Sequence, residues 1–310
     1  MIDRNYFHNM THLQRMLILI GICLIAATAF TMLGYGIINL IYGIQMADMQ
    51  ASMAFTNENV NIGALKILQS MMSIGVFIVP AFIYSWLYSN RPVQYLGLKK
   101  VKDNLSLLFI FAAMLLLIPF INALGEWNSY MKLPSFLSGI EQWMREQEDY
   151  LAQATTVLLK MPDIREMFVN IVVIAFLPAL SEELMFRGVI QRQFSDWFNN
   201  KNVAVILTAF IFSAIHVQFY GFIPRFLLGI LLGYLYLWSG SLWLSVLAHF
   251  VNNGAAVVFT YLYSQQILTT NPDKVGTEFS DIIIVLVGLA IAIPLIIIIR
   301  KRNTVLISAE

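Results

Sequence analysis

The sequence predicts an all-α, polytopic membrane protein with about eight transmembrane helices. Hydrophobic residues make up 59% of the 310 residues and charged ones 12%, about half the charged share of a soluble domain. Charge-free runs recur at the length, roughly 20 helical residues, that crosses ~30 Å of hydrocarbon. Basic residues fall in alternate connections between those runs. The same composition excludes other classes. With 13% aromatic residues and 19 basic against 18 acidic side chains, the chain is the opposite of a disordered one, and a net charge of +1 argues against a nucleic-acid partner. The single cysteine, Cys23, lies in an apolar run, so no intramolecular disulfide or cysteine metal motif is available.

The runs follow in order. Met16 to Ile44, Ile67 to Ser89 and Asn104 to Gly125 each qualify as spans, and the first is too long for a cleaved signal peptide and reads as an anchor. A fourth helix runs from Met167 to about Phe198 with Glu182, Glu183 and Arg187 inside it. Val203 to Pro224 holds a fifth with a turn near its end. Phe226 to Pro272 is too long for one helix, and Ser239, Gly240 and Ser241 are the natural break between a sixth and a seventh. Ile282 to Ile299 is the eighth. This organises the chain into helices 1–3 with an external loop (1–165), a core of helices 4–7 (166–265), and a last helix with a basic tail (266–310).

Eight crossings place both termini on one side. Arg4 and Arg15, then Arg91, Lys99, Lys100 and Lys102, then Arg192 and Lys201, then Arg300, Lys301 and Arg302 all share a side under this topology, which assigns it to the cytoplasm and the chain to the inner (plasma) membrane. The long connection from Glu126 to Glu166 carries four basic and seven acidic residues and reads as an amphipathic external piece around Trp143. No internal repeat is visible, which weakens a transporter reading.

Ionisable residues inside spans are costly and default to functional hypotheses. Glu183 and Arg187 are four apart, so they face each other and neutralise one another. Their whole role could be a structural ion pair. Glu182 points about a third of a turn away without a local partner, as a working base would. Of the four histidines, His8 and His12 precede the first span and read as a solvated tail, while His216 and His249 fall in the fifth and seventh helices. Asn253 shares a helical face with His249 and Asn252 points elsewhere, whereas Phe212, four residues before His216, can pack beneath the imidazole. Counted from the turn at Asn199 and Asn200, Glu182 lies ~25 Å deep and His216 ~21 Å, while His249 and Asn253, counted from the Ser239 to Ser241 turn, come out at about 12 to 18 Å.

Glu-Glu-x-x-x-Arg (Glu182, Glu183, Arg187), Phe-x-x-x-His (Phe212, His216) and His-x-x-x-Asn (His249, Asn253) resemble the three motifs of the CPBP family. That family groups CAAX prenyl endopeptidases of the Ras-converting type with bacterial bacteriocin-processing and immunity proteins, and it is commonly called an intramembrane metalloprotease family. The likeness covers about residues 168 to 264. It implies hydrolysis of a peptide bond in a membrane-associated protein or lipidated peptide, in a helical cavity that admits water. Two mechanisms fit the residues. In one, Glu182, held by His216, deprotonates water while His249 and Asn253 donate to the oxyanion; in the other, His216, His249 and Glu182 hold Zn²⁺. The spacing does not choose between them, and the intact Asn253 tilts the reading toward glutamate. A non-catalytic scaffold or bacteriocin self-immunity protein of the same fold is the alternative, and an ion or proton carrier using Glu182 a weaker one. The CAAX-type, prenylated substrate is implied by the eukaryotic relatives alone.

Overall fold

The computed structural model describes residues 7, 9–52 and 61–308, and among them regular structure is entirely helical. Arg4 and His8 lie outside the described residues. Nine longer helices carry the architecture: α1 (His12–Tyr42), α2 (Ile62–Tyr88), α3 (Asn104–Ser129), α4 (Ser138–Leu158), α5 (Ile164–Phe198), α6 (Lys201–Ala214), α7 (Phe222–Ser239), α8 (Leu242–Ser264) and α9 (Ile282–Ser308).

Local chemistry sets the boundaries. Thr11 and Gln14 close a capping box at the start of α1, and Gly43, at φ 67°, ends that helix in the left-handed region. Asn199 ends α5 at φ 48°, and the Asn200 side chain accepts the Asn202 and Val203 N–H groups to start α6. Gly240, at φ 64°, ends α7 at the expected break. Both α2 and α5 contain a π turn just before a proline: Ile74–Ile78 precedes Pro80, and Ile171–Phe176 precedes Pro178. Each ring lacks an N–H and crowds the carbonyl four residues back, at Val76 or Ile174, so the helix widens there.

Two helical flanks enclose the core. α1 and α2 pack together and present α2 to α5, while α3 and α9 pack together and cover α7 and α8. Between them α5, α6, α7 and α8 make successive contacts. α1 and α9 turn Leu17, Leu24, Ile25, Ile283 and Leu286 outward, as lipid-facing helices do.

Seven helices, all but α4 and α6, are long and apolar enough to cross a membrane, and the chain is an integral membrane protein. The expected fifth span is corrected by the structure: α6 stops at Ala214 after 14 residues, ~21 Å of helix. Ile215 and His216 turn, Val217 takes φ 54°, and Phe219–Gly221 forms a 3-10 turn leading into α7. His216 therefore sits in the turn beyond α6 and not within a helix. α6 and α7 form one hairpin that leaves from the end where α5 stops. His12 is also corrected: it is the first residue of α1, half-buried, with its ring stacked on Trp197 at 5.9 Å. The capping box starts the helix there and carries the imidazole to the end of α5.

The long connection forms α4, amphipathic as expected. Trp143 packs on Phe219 at 5.5 Å, the Arg145 guanidinium lies 4.5 Å from the centre of the Tyr220 ring, and Glu148 accepts the Tyr220 N–H at 3.3 Å. α4 thus rests on the turn that follows His216.

At the opposite end, Asp103 receives a two-pronged bond from Arg302 (2.7 and 2.8 Å) and a bond from the Ser106 hydroxyl at 2.7 Å, and Asn303 donates to Ser106. The Arg302 bonds hold the Asp103 carboxyl down to about 2. Because this folded value lies below the unfolded one, the cluster stabilises the fold above the ordinary carboxylate range and that contribution is lost as pH falls through the folded value. Thermal unfolding of purified protein should show Asp103→Asn melting below the wild type near neutral pH, with the difference closing between about pH 4 and pH 2. A constant difference across that window would refute the assignment.

Candidate active site in the α5–α8 core

Three residues of α5 start the site. Arg187 donates to Glu183 at 2.6 Å, and both side chains have no exposed surface. Arg187 also donates to the Gly229 carbonyl of α7 at 2.9 Å, and one turn on Gln191 donates to the Gly233 carbonyl at 3.1 Å. A Cβ on Gly229 would stand 3.0 Å from Ala209 Cβ, and one on Gly233 would stand 2.9 Å from Gln191 Oε1. The two glycines are what let α7 come near enough for its backbone to serve as acceptor. Their four-residue spacing is the small-residue signature of close helix approach, legible in the sequence.

Glu183 has a second partner. His249 of α8 approaches it through Nδ1 at 3.0 Å, and its Nε2 lies 3.8 Å from Glu182 Oε2. A carboxylate only accepts, so Nδ1 carries a proton, and Nε2 is the ring nitrogen turned toward Glu182. Glu182 keeps 15% of its side-chain surface exposed where Glu183 keeps none, and its Oε2 has no hydrogen-bond partner. Glu182 Oε2 and Glu183 Oε2 are both buried without a hydrogen-bond partner, and of the two carboxylates Glu182 is the one with part of its side chain exposed.

Phe212 joins the parts. Its ring meets His216 edge to face at 5.1 Å and His249 at 5.8 Å, with the Arg187 guanidinium 4.8 Å from its centre. His216 directs Nδ1 to the Phe212 carbonyl at 2.7 Å, so it too presents a bare Nε2 when neutral. The imidazole that approaches Glu182 is therefore His249, although residue counting put His216 at its level. Asn253 bonds to neither; its Oδ1 accepts from Asn252 at 3.2 Å, leaving its amide N–H groups for another acceptor.

The turn bearing His216 is fixed from several sides. Ser213 donates to the Phe222 carbonyl at 2.7 Å, and Asn128 of α3 accepts the Ile223 N–H at 2.8 Å and donates to the Phe219 carbonyl at 3.2 Å. Val217, β-branched at φ 54°, holds a conformation that costs on the order of 1–3 kcal/mol and is characteristic of functional sites.

Zinc requires converging donors. Each imidazole has the right support, an Nδ1 partner and, in the neutral ring, a bare Nε2. Among the described residues, however, no three His, Cys, Asp or Glu side chains group as metal ligands. His216, His249 and Glu182, as they stand, do not fit a zinc site.

Sequence reasoning missed Arg225, in the first turn of α7, because it separates two apolar runs and so fell between spans. Its Nη2 donates to Gln218 Oε1 at 2.7 Å and its Nη1 reaches the Gln218 carbonyl at 3.4 Å.

Residues 164–255 match the Rce1-like family, described as type II CAAX prenyl endopeptidases. The likeness is confined to that segment, which carries Glu182, Glu183, Arg187, Phe212, His216, His249 and Asn253, and spans α5, α6, α7 and part of α8. The chain is also 31% identical over 86 residues to the uncharacterized protein YpbD of Bacillus subtilis (strain 168), a stretch covering 26% of this chain and 41% of that protein. No solved structure matches.

Breaking the buried pair in the matched segment leaves an uncompensated charge, a change worth about 3–5 kcal/mol. Glu183→Gln should therefore sharply reduce the yield of folded protein, and Glu183→Leu combined with Arg187→Met should recover yield. A Glu183→Gln protein that purifies and melts like the wild type would contradict the pairing.

Proposed function

We propose that this chain is an intramembrane endopeptidase that hydrolyses a peptide bond in a membrane-associated protein or lipidated peptide, with Glu182 as the base. The observation that carries it is the Glu182 carboxylate, partly exposed, with a buried Oε2 that has no hydrogen-bond partner and lies 3.8 Å from a histidine that a buried carboxylate and guanidinium hold in place. Glu182 takes a proton from water, the hydroxide oxygen bonds to the scissile carbonyl carbon, and the carbonyl electron pair moves onto oxygen. As the C–N bond breaks, the proton on Glu182 passes to the leaving amine.

The hydrogen-bond inventory divides the remaining roles. Neutral His216 and His249 present acceptors at Nε2, so neither donates to an oxyanion in that state. Asn253, whose Oδ1 is engaged and whose amide N–H groups remain, is the oxyanion donor. His249 helps to orient the water beside Glu182, and Glu183 fixes its tautomer. Arg187 neutralises Glu183, and Phe212 sets the spacing of both imidazoles.

Glu182→Gln is nearly isosteric and should insert and purify normally while losing hydrolysis of a panel of membrane-partitioning peptides. Asn253→Ala should lower the rate by roughly 10² to 10³, the scale of one oxyanion donor. Activity should survive exhaustive chelation. Wild-type rates in Glu182→Gln would sink the assignment, activity switched off by chelation and restored by zinc would replace the glutamate mechanism, and no cleavage of any peptide would favour the scaffold reading.

The basic connections assign both termini to the cytoplasm, in the inner membrane. In a Cys23→Ala background, Lys100→Cys should label from the cytoplasmic side and Trp143→Cys and Asn271→Cys from the other; the reverse pattern would invert the topology.

A further inference from the structure

Three helix ends meet at one end of the core. α5 stops at Phe198, α6 starts at Lys201, and the last turn of α7 carries Tyr236. A cavity of about 230 Å³ lies between them, and its lining includes Arg192, Ser195, Lys201, Ala204, Tyr236 and Gly240. It is smaller than a site for a drug-sized molecule. Two of these residues are cations, and among the described residues neither forms an ion pair. Asp196, one turn beyond Arg192, instead accepts from the Tyr88 hydroxyl at 3.5 Å.

Arg192 is held rather than free to follow the solvent. Its Nε donates to the Tyr236 hydroxyl at 2.5 Å, and its guanidinium carbon lies 5.0 Å from the centre of the Tyr95 ring and 5.6 Å from that of Tyr236. Tyr236 is buried and packs against the backbone at Gly97, where a Cβ would stand 2.6 Å from the ring. Of the five N–H donors of a guanidinium, only the one on Nε has an acceptor among the described residues. The Tyr236 hydroxyl, having accepted that bond, keeps its own proton to donate, and Ser195 offers a second hydroxyl. The donors are thus in place before any acceptor arrives, which lowers the ordering cost of binding one.

A guanidinium fork, an ammonium and two hydroxyls around one small space match a phosphate, which offers several oxygens and a full negative charge. The surroundings say where that phosphate comes from. At the same end Trp197 stacks on Phe198 at 5.5 Å and Tyr234 on Trp238 at 5.4 Å, and the Tyr234 hydroxyl donates to Asn202 at 3.1 Å. Tryptophan and tyrosine collect at the level of lipid headgroups, and basic pockets between helix ends at that level hold anionic ones.

We propose that this cavity binds the phosphate of an anionic phospholipid from the leaflet at that end. The Arg192 fork and the Lys201 ammonium are its counter-charges, and the Ser195 and Tyr236 hydroxyls complete its hydrogen bonds. One headgroup then ties together the ends of α5, α6 and α7. The proposal stands apart from the endopeptidase reading, because none of these residues belongs to the Glu182 cluster.

The test melts delipidated full-length protein in a neutral detergent against rising concentrations of four probes: dioctanoyl phosphatidylglycerol, dioctanoyl phosphatidylcholine, glycerophosphate and inorganic phosphate. For wild type the phosphatidylglycerol should raise the melting temperature to a plateau, reaching half its effect at about 10- to 100-fold lower concentration than the phosphatidylcholine, the range of a charge-assisted bond. The two tail-less phosphates should have no effect over that range. Arg192→Gln should abolish the preference, Arg192→Lys should restore part of it, and Lys201→Gln should weaken it. Lys100 is an exposed cation of the same end, on the connection whose Lys99 carbonyl accepts from Ser241, and lies outside the cavity; Lys100→Gln should keep the full preference. Equal half-effects of the two lipids on wild type, or no shift with either, overturn the proposal without any variant having to fold. A preference lost as fully in Lys100→Gln as in Arg192→Gln would mean diffuse attraction to a basic surface and would also overturn it. Stabilisation by inorganic phosphate at the phosphatidylglycerol concentrations would refute the lipid as the source.

Discussion

A guanidinium with no contact to water must find its counter-charge and its hydrogen-bond acceptors within the protein. Arg187 takes a carboxylate from its own helix and a backbone carbonyl from α7, and much of the core's geometry follows from those two bonds. The same Glu183 Oε1 that accepts from Arg187 also draws His249 from α8. Three helices are thereby registered through one buried charge pair. A buried ion pair is weak evidence of stability against apolar packing, but its disruption is expensive. Its use here is to fix position, because an imidazole hung on a neutralised carboxylate has a defined ring orientation and a defined tautomer.

That arrangement needs backbones that come close and helices that can change pitch. Gly229 and Gly233 bring α7 within reach of Arg187 and Gln191. The π turn at Phe186–Ile190 encloses Arg187 just after the two glutamates, in keeping with the frequency of such turns at functional sites. The proline-linked π turns of α2 and α5 lie farther along the same packed pair, where both helices depart from regular geometry in the same manner.

The fold class was legible because hydropathy and length answer directly to the bilayer, and helices α1, α2, α3, α5, α8 and α9 begin or end within a few residues of their expected bounds. Glu183 and Arg187 were legible as a pair because both lie on one helix, where spacing fixes direction. The bond between His249 and Glu183 was not, since it depends on how far α8 is rotated and how deep it sits, and residue counting placed His249 too shallow. The early end of α6 was hidden by an apolar run that continues through Ile215, and Val217 is a residue type that disfavours the conformation it adopts. Arg225 escaped notice because dividing the chain at charges turned it into a boundary marker.

The 14 residues of α6 span ~21 Å, well short of the ~30 Å of an average hydrocarbon core. Ile206 and Phe210 face outward along it, so lipid is in contact with this short wall. Lipids meet a short hydrophobic wall by thinning, at fractions of a kcal/mol per Å. Beside α6 such thinning draws the water boundary toward the turn that carries His216. Acyl-chain length in the surrounding membrane then acts on the site as a physical variable: longer lipids raise the elastic cost of that dimple, and shorter ones relieve it.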